Sequence, residues 1–394
     1  MDAPSAFTEQ ALCDAITKGD STFTISKCDK LEFVRTLGID TVVAVCVRTI
    51  RRQNTPITTP LERVEPAALG TAITATNNCC QRNLLPTDEA WWYSQGKTAV
   101  TRRGPVFRAT PSALSLSTLL SGTVRYATPC QANCPSPNDL WASDAVLDKA
   151  IRYVCTNDKK KDSDALSVGR LRVFCMQGHG CRYPTAFPIP VAMAVMRRVA
   201  AELPAWDTLR VADPCAGWGD RLAAAILCGA NYIGMDPWRV SVNVCAKIHT
   251  RLGGSAHQCV VLSDGAENPW PVADNSMHIV FTSPPYGSLE KYGVAGPEDE
   301  RRHQAWKLPA HDFVAAFMGP LMRNAWRALV PRGRLILNIA DSSAQTMVAD
   351  TILLAETLGF TLETIYGMSL SARATQTHGE AGARAEPLFV FRKT

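Results

Sequence analysis

From Ile189 to its end, the chain alternates segments of strand pattern with segments of helical pattern. The predicted strands are Thr208–Asp213, Tyr232–Asp236, Cys259–Asp264, Met277–Thr282, Arg334–Ala340, Thr361–Tyr366 and Leu388–Arg392. The predicted helices are Ile189–Leu203, Arg221–Cys228, Arg239–Leu252, Asp312–Leu329 and Met347–Leu358. Because strands that alternate with helices need crossover connections, the pattern predicts an α/β fold with a doubly wound, mostly parallel sheet. The last two strands have no helix between them, so we expect an antiparallel hairpin at the sheet edge.

The first 165 residues lack this alternation. A chain of 394 residues is long for one hydrophobic core, which favours two domains. The polar, charge-rich run Thr156–Val168 is interpreted as the boundary between a separate N-terminal domain, residues 1–165, and a catalytic domain, residues 166–394. Within that run Lys159–Lys161 are interpreted as a solvated loop, with phosphate contact as the alternative. The short apolar stretch Thr41–Val47 fits a buried strand.

Composition and the chain start bear on location and partners. No apolar run reaches the eighteen or so residues needed to cross a bilayer, so no membrane partner is expected. The start MDAPSAFTEQ has neither a basic nor an apolar region of a secretion signal, and the 14 cysteines are scattered. We therefore expect reduced thiols in the cytoplasm or another reducing compartment. No Cys–His grouping has the paired C-x2-C spacing of a structural zinc site, so no metal is expected.

A glycine turn follows the first strand of the alternating region. In RVADPCAGWGDRL the strand ends at Asp213, and Gly217 and Gly219 lie in the turn before a helix. Asp236 ends the next strand, where a carboxylate accepts from ribose hydroxyls, and Asp264 ends the third, where one accepts from an adenine amino group. Three carboxylates at the ends of successive strands line one crevice. A dinucleotide fingerprint is absent, because its third glycine position, three residues after Gly219, is a leucine.

A second motif follows the fourth strand. Ser283, Pro284, Pro285 and Tyr286 come directly after it, and two prolines cannot continue a central strand. The serine oxygen and the Pro284 carbonyl suit the two protons of an exocyclic amine, and Tyr286 offers a face for the base. Since serine is a poor base, we do not expect the amine to be deprotonated first. We expect it to attack directly the group that is transferred to it, and to lose its proton afterwards. A rigid proline loop without catalytic function is the alternative.

These motifs resemble those of class I S-adenosylmethionine-dependent methyltransferases. DPCAGWGDRL is similar to their first motif, and the tetrad is similar to that of amino-methyltransferases acting on adenine N6 or cytosine N4 of DNA, including phage and large DNA virus methylases. The resemblance implies a Rossmann-like methyltransferase sheet with S-adenosylmethionine as cofactor, and a serine in the first tetrad position favours cytosine N4. Upstream, Arg182, Tyr183 and Phe187 resemble residues over the methionine end of the cofactor, with a core position for Phe187 as the alternative.

The function that the resemblance implies is methylation of a base amine in DNA, either flipped out of a duplex or single-stranded. Such enzymes often belong to restriction–modification systems. An RNA amino-methyltransferase and a catalytically inactive subunit that binds nucleic acid are the alternatives. Residues 1–165 would then read the target, with Arg102, Arg103 and Arg108 beside the aromatic run Trp91–Tyr93 as candidates. On this interpretation a chain that begins near Ser167 binds the cofactor but loses sequence selectivity.

Overall fold

A computed structural model describes residues 6–18, 23–95, 98–129, 134–156, 165–176, 184–203, 207–253, 258–285, 308–341, 346–369 and 383–394. Its helices are α1 (Glu9–Thr17), α2 (Lys27–Leu37), α3 (Ile39–Arg52), α4 (Pro66–Asn83), α5 (Ser115–Ala127), α6 (Pro137–Ala142), α7 (Asp144–Thr156), α8 (Val168–Met176), α9 (Ile189–Ala201), α10 (Asp220–Leu227), α11 (Arg239–Leu252), α12 (Ala310–Phe313), α13 (Gly319–Ala328) and α14 (Val348–Thr357). Its strands are β1 (Thr24–Ile25), β2 (Thr87–Gln95), β3 (Thr98–Phe107), β4 (Leu166–Ser167), β5 (Arg210–Asp213), β6 (Asn231–Met235), β7 (Cys259–Leu262), β8 (Met277–Thr282), β9 (Leu329–Asn338), β10 (Phe360–Ser369) and β11 (Ala383–Lys393).

The chain divides into two compact units that do not follow the expected boundary. One unit comprises Met1–Arg63 and Gly122–Pro184, and the other comprises Val64–Ser121 and Thr185–Thr394. The sequence-based division at residue 165 is therefore corrected: residues 64–121 belong to the same unit as the α/β region. Among the described residues, no helix has both the length and the apolar character of a membrane-crossing segment.

The first unit is built from helices, with one short antiparallel pair between β1 and β4. The helix α3 occupies the stretch Thr41–Val47, so the buried strand expected there is wrong. Within it Val42, Cys46 and Ile50 are buried at the four-residue spacing of one helix face. The apolar run alone is too short to separate strand from helix, whereas the residues up to Arg52 continue the helical period.

The second unit is organised around a nine-stranded sheet of order β10-β3-β2-β11-β9-β8-β5-β6-β7. The strands β5 to β9 are parallel and stand in the order 3-2-1-4-5 of a doubly wound sheet, when numbered along the chain. This confirms the predicted α/β, mostly parallel architecture. The helix Arg239–Leu252 and the strand Met277–Thr282 have the predicted bounds. The strand order reverses between β5 and β8, and ligands bind in such sheets outside the carboxyl ends of the strands at that point.

The last two strands pair antiparallel, but not at the sheet edge. β11 is antiparallel to both β9 and β10, and its register against β10 runs from Lys393 to Ala385. The β2–β3 hairpin adds to this pair, with β2 beside β11 and β3 beside β10. Four strands thus form a closed circuit of pairings. Trp91 is buried inside it, and a Cβ at Gly367 would lie 3.0 Å from the indole ring.

Candidate functional site

The turn after β5 depends on two glycines with left-handed backbone. Gly217 has φ +55° and Gly219 has φ +80°, a region that residues with a Cβ rarely adopt. A Cβ at Gly219 would lie 2.8 Å from Ile248 Cδ1 and 3.2 Å from Cys245 Sγ, so this glycine lets α10 pack closely on α11. A Cβ at Gly217 would meet only the carbonyl oxygen of Cys215, at 3.9 Å, among the described residues. Gly219 therefore serves packing, whereas Gly217 shapes the turn and keeps its crevice side clear.

Asp236 joins this turn to the end of β6. Its Oδ2 accepts a hydrogen bond from the amide of Gly217 and its Oδ1 accepts from the amide of Trp238, both at 2.9 Å. The Asp236 amide donates to the Leu262 carbonyl at the end of β7. Burial raises the pKa of Asp236 to about 6, although the two backbone hydrogen bonds favour the charged form. The carboxylate is thus fixed in place and titrates near neutral pH.

Asp264 follows β7 at the same edge. Its Oδ1 accepts from the Gly265 amide at 2.8 Å and from Asn268 Nδ2 at 2.6 Å. Both bonds use one oxygen, so Oδ2 has no hydrogen-bond partner among the described residues. The side chain is partly buried. The structure therefore brings Asp236 and Asp264 together at the carboxyl ends of neighbouring parallel strands, as the sequence predicted.

Asp213 ends β5 as predicted, but its carboxylate has internal partners. The side chain is fully buried, and Oδ2 accepts from Arg221 Nε at 2.7 Å and from the Tyr232 hydroxyl at 2.9 Å. Oδ1 accepts from the Cys215 amide at 3.2 Å. Burial, and then the charge of Asp213, raises the pKa of Tyr232 well above its usual value, so the phenol remains a donor. Asp213 thereby anchors the glycine turn to the start of α10.

The predicted catalytic motif begins where β8 ends, beside β5 and β9. Ser283 Oγ donates to Asn338 Oδ1 at 3.2 Å, and Asn338 is the last residue of β9. The Asn338 amide donates from Nδ2 to the carbonyl of Pro387 at 3.2 Å. Because that bond fixes which end of the amide faces Ser283, the serine proton is directed to Asn338. The lone pairs of Ser283 then remain as acceptors for a donor in the crevice.

Three predicted site residues, Arg182, Tyr183 and Tyr286, lie outside the described residues. Pro284 and Pro285 continue directly from β8, with Pro284 buried. The Phe187 ring packs edge-on to Phe281, with centroids 5.5 Å apart, and lies under the Arg221 guanidinium at 5.3 Å. These contacts support the core interpretation of Phe187.

Sequence reasoning missed two residues that shape the site. Arg221 follows the glycine turn, and its role needed the knowledge that Asp213 is buried. Asn338 lies in the predicted strand Arg334–Ala340, to which the sequence assigned no part in the site. Neither position has a local pattern that distinguishes it from an ordinary helix or strand residue. Among the described residues no group of three or more His, Cys, Asp or Glu side chains is arranged to hold a metal ion.

Comparison with known proteins gives distant structural likenesses. No family model matches the sequence, and no curated protein matches it. TrmN from Thermus thermophilus has 16% identity and a TM-score of 0.35 over 53% of this chain and 49% of that chain. Magnesium protoporphyrin IX methyltransferase (ChlM) from Synechocystis PCC 6803, solved with bound SAM, has 14% identity and a TM-score of 0.36 over 52% of this chain and 79% of that chain. The chain thus matches about half the length of the Thermus protein. Likenesses this distant assign no function, so function is argued from the crevice.

Proposed function

We propose that the second unit transfers a methyl group from S-adenosylmethionine to the exocyclic amine of a nucleobase in DNA, with cytosine N4 favoured over adenine N6. The observation that carries the proposal is the hydrogen bond from Ser283 Oγ to Asn338, which leaves the serine oxygen as an acceptor beside a crevice with two strand-end carboxylates. An acceptor at that point suits a substrate that presents N–H donors. It does not suit a carboxylate substrate, which would bring acceptor against acceptor.

The crevice fits the proposed cofactor in its donor and acceptor chemistry. Asp236 supplies acceptors for ribose hydroxyls, and the Oδ2 of Asp264 is an acceptor for an adenine amino group. Gly217 leaves the turn without a side chain on the ligand side. Asp213 and Gly219 act on the cofactor indirectly, because both hold the glycine turn in place. When bound, S-adenosylmethionine supplies an electrophilic methyl group on a sulfonium ion.

The residues after β8 orient the amine. Ser283 Oγ and the carbonyl of Pro284 accept its two protons, which directs the nitrogen lone pair away from the ring plane. Tyr286 stacks on the base, and the two prolines hold these groups rigidly. Because serine is a poor base, Ser283 orients the amine and does not deprotonate it. The serine in the first position supports cytosine N4 over adenine N6.

Asp236→Ala should weaken S-adenosylmethionine binding about ten- to a hundredfold, since hydrogen bonds to a charged acceptor contribute about 1.5–3 kcal/mol. In the unsubstituted protein the affinity should be roughly tenfold lower at pH 5 than at pH 7. A carboxylate whose pKa is raised to about 6 is mostly protonated at pH 5, and only its ionised form accepts from both ribose hydroxyls. Isothermal titration calorimetry at the two pH values measures both effects.

Asp274→Ala is the matched control, because it removes an exposed carboxylate before β8. Its affinity should equal that of the unsubstituted protein, and Asp236→Ala should show no change in affinity between pH 5 and pH 7. Unchanged affinity in a folded Asp236→Ala protein would refute the ribose assignment.

Ser283→Ala and Tyr286→Ala should keep cofactor binding and slow methyl transfer. A lost hydrogen bond contributes about 0.5–1.5 kcal/mol, so we expect roughly two- to tenfold slower turnover for Ser283→Ala. A lost base stack contributes about 1–3 kcal/mol, so we expect roughly five- to a hundredfold slower turnover for Tyr286→Ala. Transfer of a labelled methyl group to DNA, with calorimetry for cofactor binding, measures the two properties separately. Ser276→Ala, at the opposite end of β8, is the control and should turn over normally. Normal turnover of both tetrad variants would mean that the motif is only a loop.

A further inference from the structure

The β2–β3 hairpin lies beside the carboxyl edge of the sheet, next to the catalytic motif. β11 pairs with β9 through Leu388 and Asn338, the residue whose amide oxygen accepts the hydrogen bond from Ser283. Four residues earlier along β11, Arg384 pairs with Trp92 of β2. An extended chain advances about 3.3 Å per residue, so this pairing lies roughly 13 Å beyond Asn338. The hairpin is therefore within reach of the substrate strand that supplies the target base.

Three arginines of this region have no acidic partner in the part of the chain that the structure describes. Arg102 and Arg103 of β3 and Arg384 of β11 form no ion pair with a described residue. By contrast Arg108, at the end of the hairpin, contacts Glu89 at 2.5 Å. Guanidinium groups without an ion pair among the described residues are candidates for binding an anionic ligand.

The register places two of these arginines on one face. Trp92 lies opposite Thr101 and beside Arg384, so Arg103, two residues from Thr101, shares its face. Both Arg103 and Arg384 are exposed. Arg102 lies opposite Trp91 on the other face and is partly buried.

The same face is unsuited to stacking on bases. Trp92 is only 6% exposed, and the guanidinium carbon of Arg384 lies over its ring at 5.4 Å. The indole holds the arginine in place and does not present an open ring. Two described carboxylates share this face: Asp88 is exposed, and Glu386, two residues from Arg384 on β11, is partly buried. Neither forms an ion pair with Arg103 or Arg384. Among the described residues, the exposed cations of the face are thus Arg103 and Arg384, and guanidinium groups suit phosphate oxygens.

We infer that Arg103 and Arg384 bind the phosphate backbone of the nucleic acid that carries the target base. The inference rests on the proposed function for its substrate class. Contacts to phosphate position the strand and carry no sequence information. The contribution of the two arginines to affinity is therefore the same for every DNA sequence. The amino-acid sequence instead predicts that this region recognises the target sequence.

The test uses the full chain and fluorescein-labelled 20-mer DNA of two unrelated sequences, each as duplex and as single strand. Anisotropy titrations at several KCl concentrations compare the unsubstituted protein with R103Q, R384Q and the double variant. We expect at least tenfold weaker binding for R103Q/R384Q with both sequences. The slope of log affinity against log salt on duplex should fall by about one for each arginine removed. R384K, which keeps the charge, should retain most of the affinity.

R332Q is the matched control, because Arg332 is exposed, has no ion-pair partner within the described ranges and lies near the amino end of β9, at the opposite edge of the sheet. Calorimetry with S-adenosylmethionine checks that each variant is folded. Unchanged binding in R103Q/R384Q, an equal loss in R332Q, or no DNA binding by the unsubstituted protein would each overturn the inference. Weaker DNA binding in R103Q/R384Q without any methylated base from the unsubstituted protein would leave the inference standing and refute the proposed function.

Discussion

A chain that begins at Ser167 is expected to lose its cooperative unfolding transition and to be recovered largely as aggregate. It lacks β2 and β3, the strands that complete the pairing circuit with β10 and β11. Five large residues of the hairpin are buried in the full chain: Trp91, Trp92, Tyr93, Val106 and Phe107. Burial of a large apolar side chain contributes about 1.5–3 kcal/mol, so the loss is roughly 7–15 kcal/mol. That equals the whole stability of a typical domain, about 5–15 kcal/mol.

Adding the missing strands back tests the same prediction in the other direction. Co-expression of residues 64–121 as a separate chain should restore soluble protein, because this segment belongs to the second unit. Solubility and urea unfolding followed by tryptophan fluorescence measure both results. A Ser167 chain that unfolds cooperatively and binds S-adenosylmethionine like the full chain would restore the division at residue 165.

Arg221→Met is expected to destabilise the protein by about 3–5 kcal/mol, because it leaves the buried carboxylate of Asp213 without its charge partner. The side chains of Arg221 and Asp213 are 6% and 0% exposed, and their closest N–O distance is 2.7 Å. A buried charge that loses its partner has neither water nor an opposite charge to stabilise it. Equilibrium urea unfolding measures the loss.

Two further variants separate this effect from a general loss of charge. The double variant Arg221→Met with Asp213→Asn removes both charges and should recover a large part of the stability. Arg35→Met breaks the exposed pair with Glu32, whose side chains are 75% and 41% exposed, and should cost at most about 1 kcal/mol. A loss below 1 kcal/mol for Arg221→Met would show that the buried pair does not hold the glycine turn.

Local sequence pattern predicted the part of the fold whose contacts are local. The helix Arg239–Leu252 and the strand Met277–Thr282 were bounded correctly because period, glycine turns and prolines all lie within a few residues. The hairpin of β2 and β3 was not recognised. Its run of adjacent aromatic residues Trp91–Tyr93 has no alternation, and its partners lie more than 250 residues further along the chain. Pairing over that distance leaves no local signal.

For the candidate site, too, local sequence predicted some features and missed those that depend on distant contacts. The positions of Asp236, Asp264 and Ser283 followed from strand ends and motif spacing, because the two aspartates end predicted strands and Ser283 directly follows one. The partners that define their chemistry did not follow. Asn338 orients the Ser283 hydroxyl from a different strand, and Arg221 neutralises Asp213 in the interior. Such partners depend on which side chains the fold buries together.

The most direct test of the proposed function is mass spectrometry of nucleosides from DNA and from RNA, each incubated with the full chain and isotopically labelled S-adenosylmethionine. The account predicts labelled N4-methylcytosine from DNA, and less of it with Ser283→Ala but not with Ser276→Ala. Labelled N6-methyladenine from DNA would mean that the target base is adenine and not cytosine, and the proposed methylation of an exocyclic amine would stand. Label found in RNA alone, or in neither nucleic acid although the protein binds the cofactor, would contradict the proposed function.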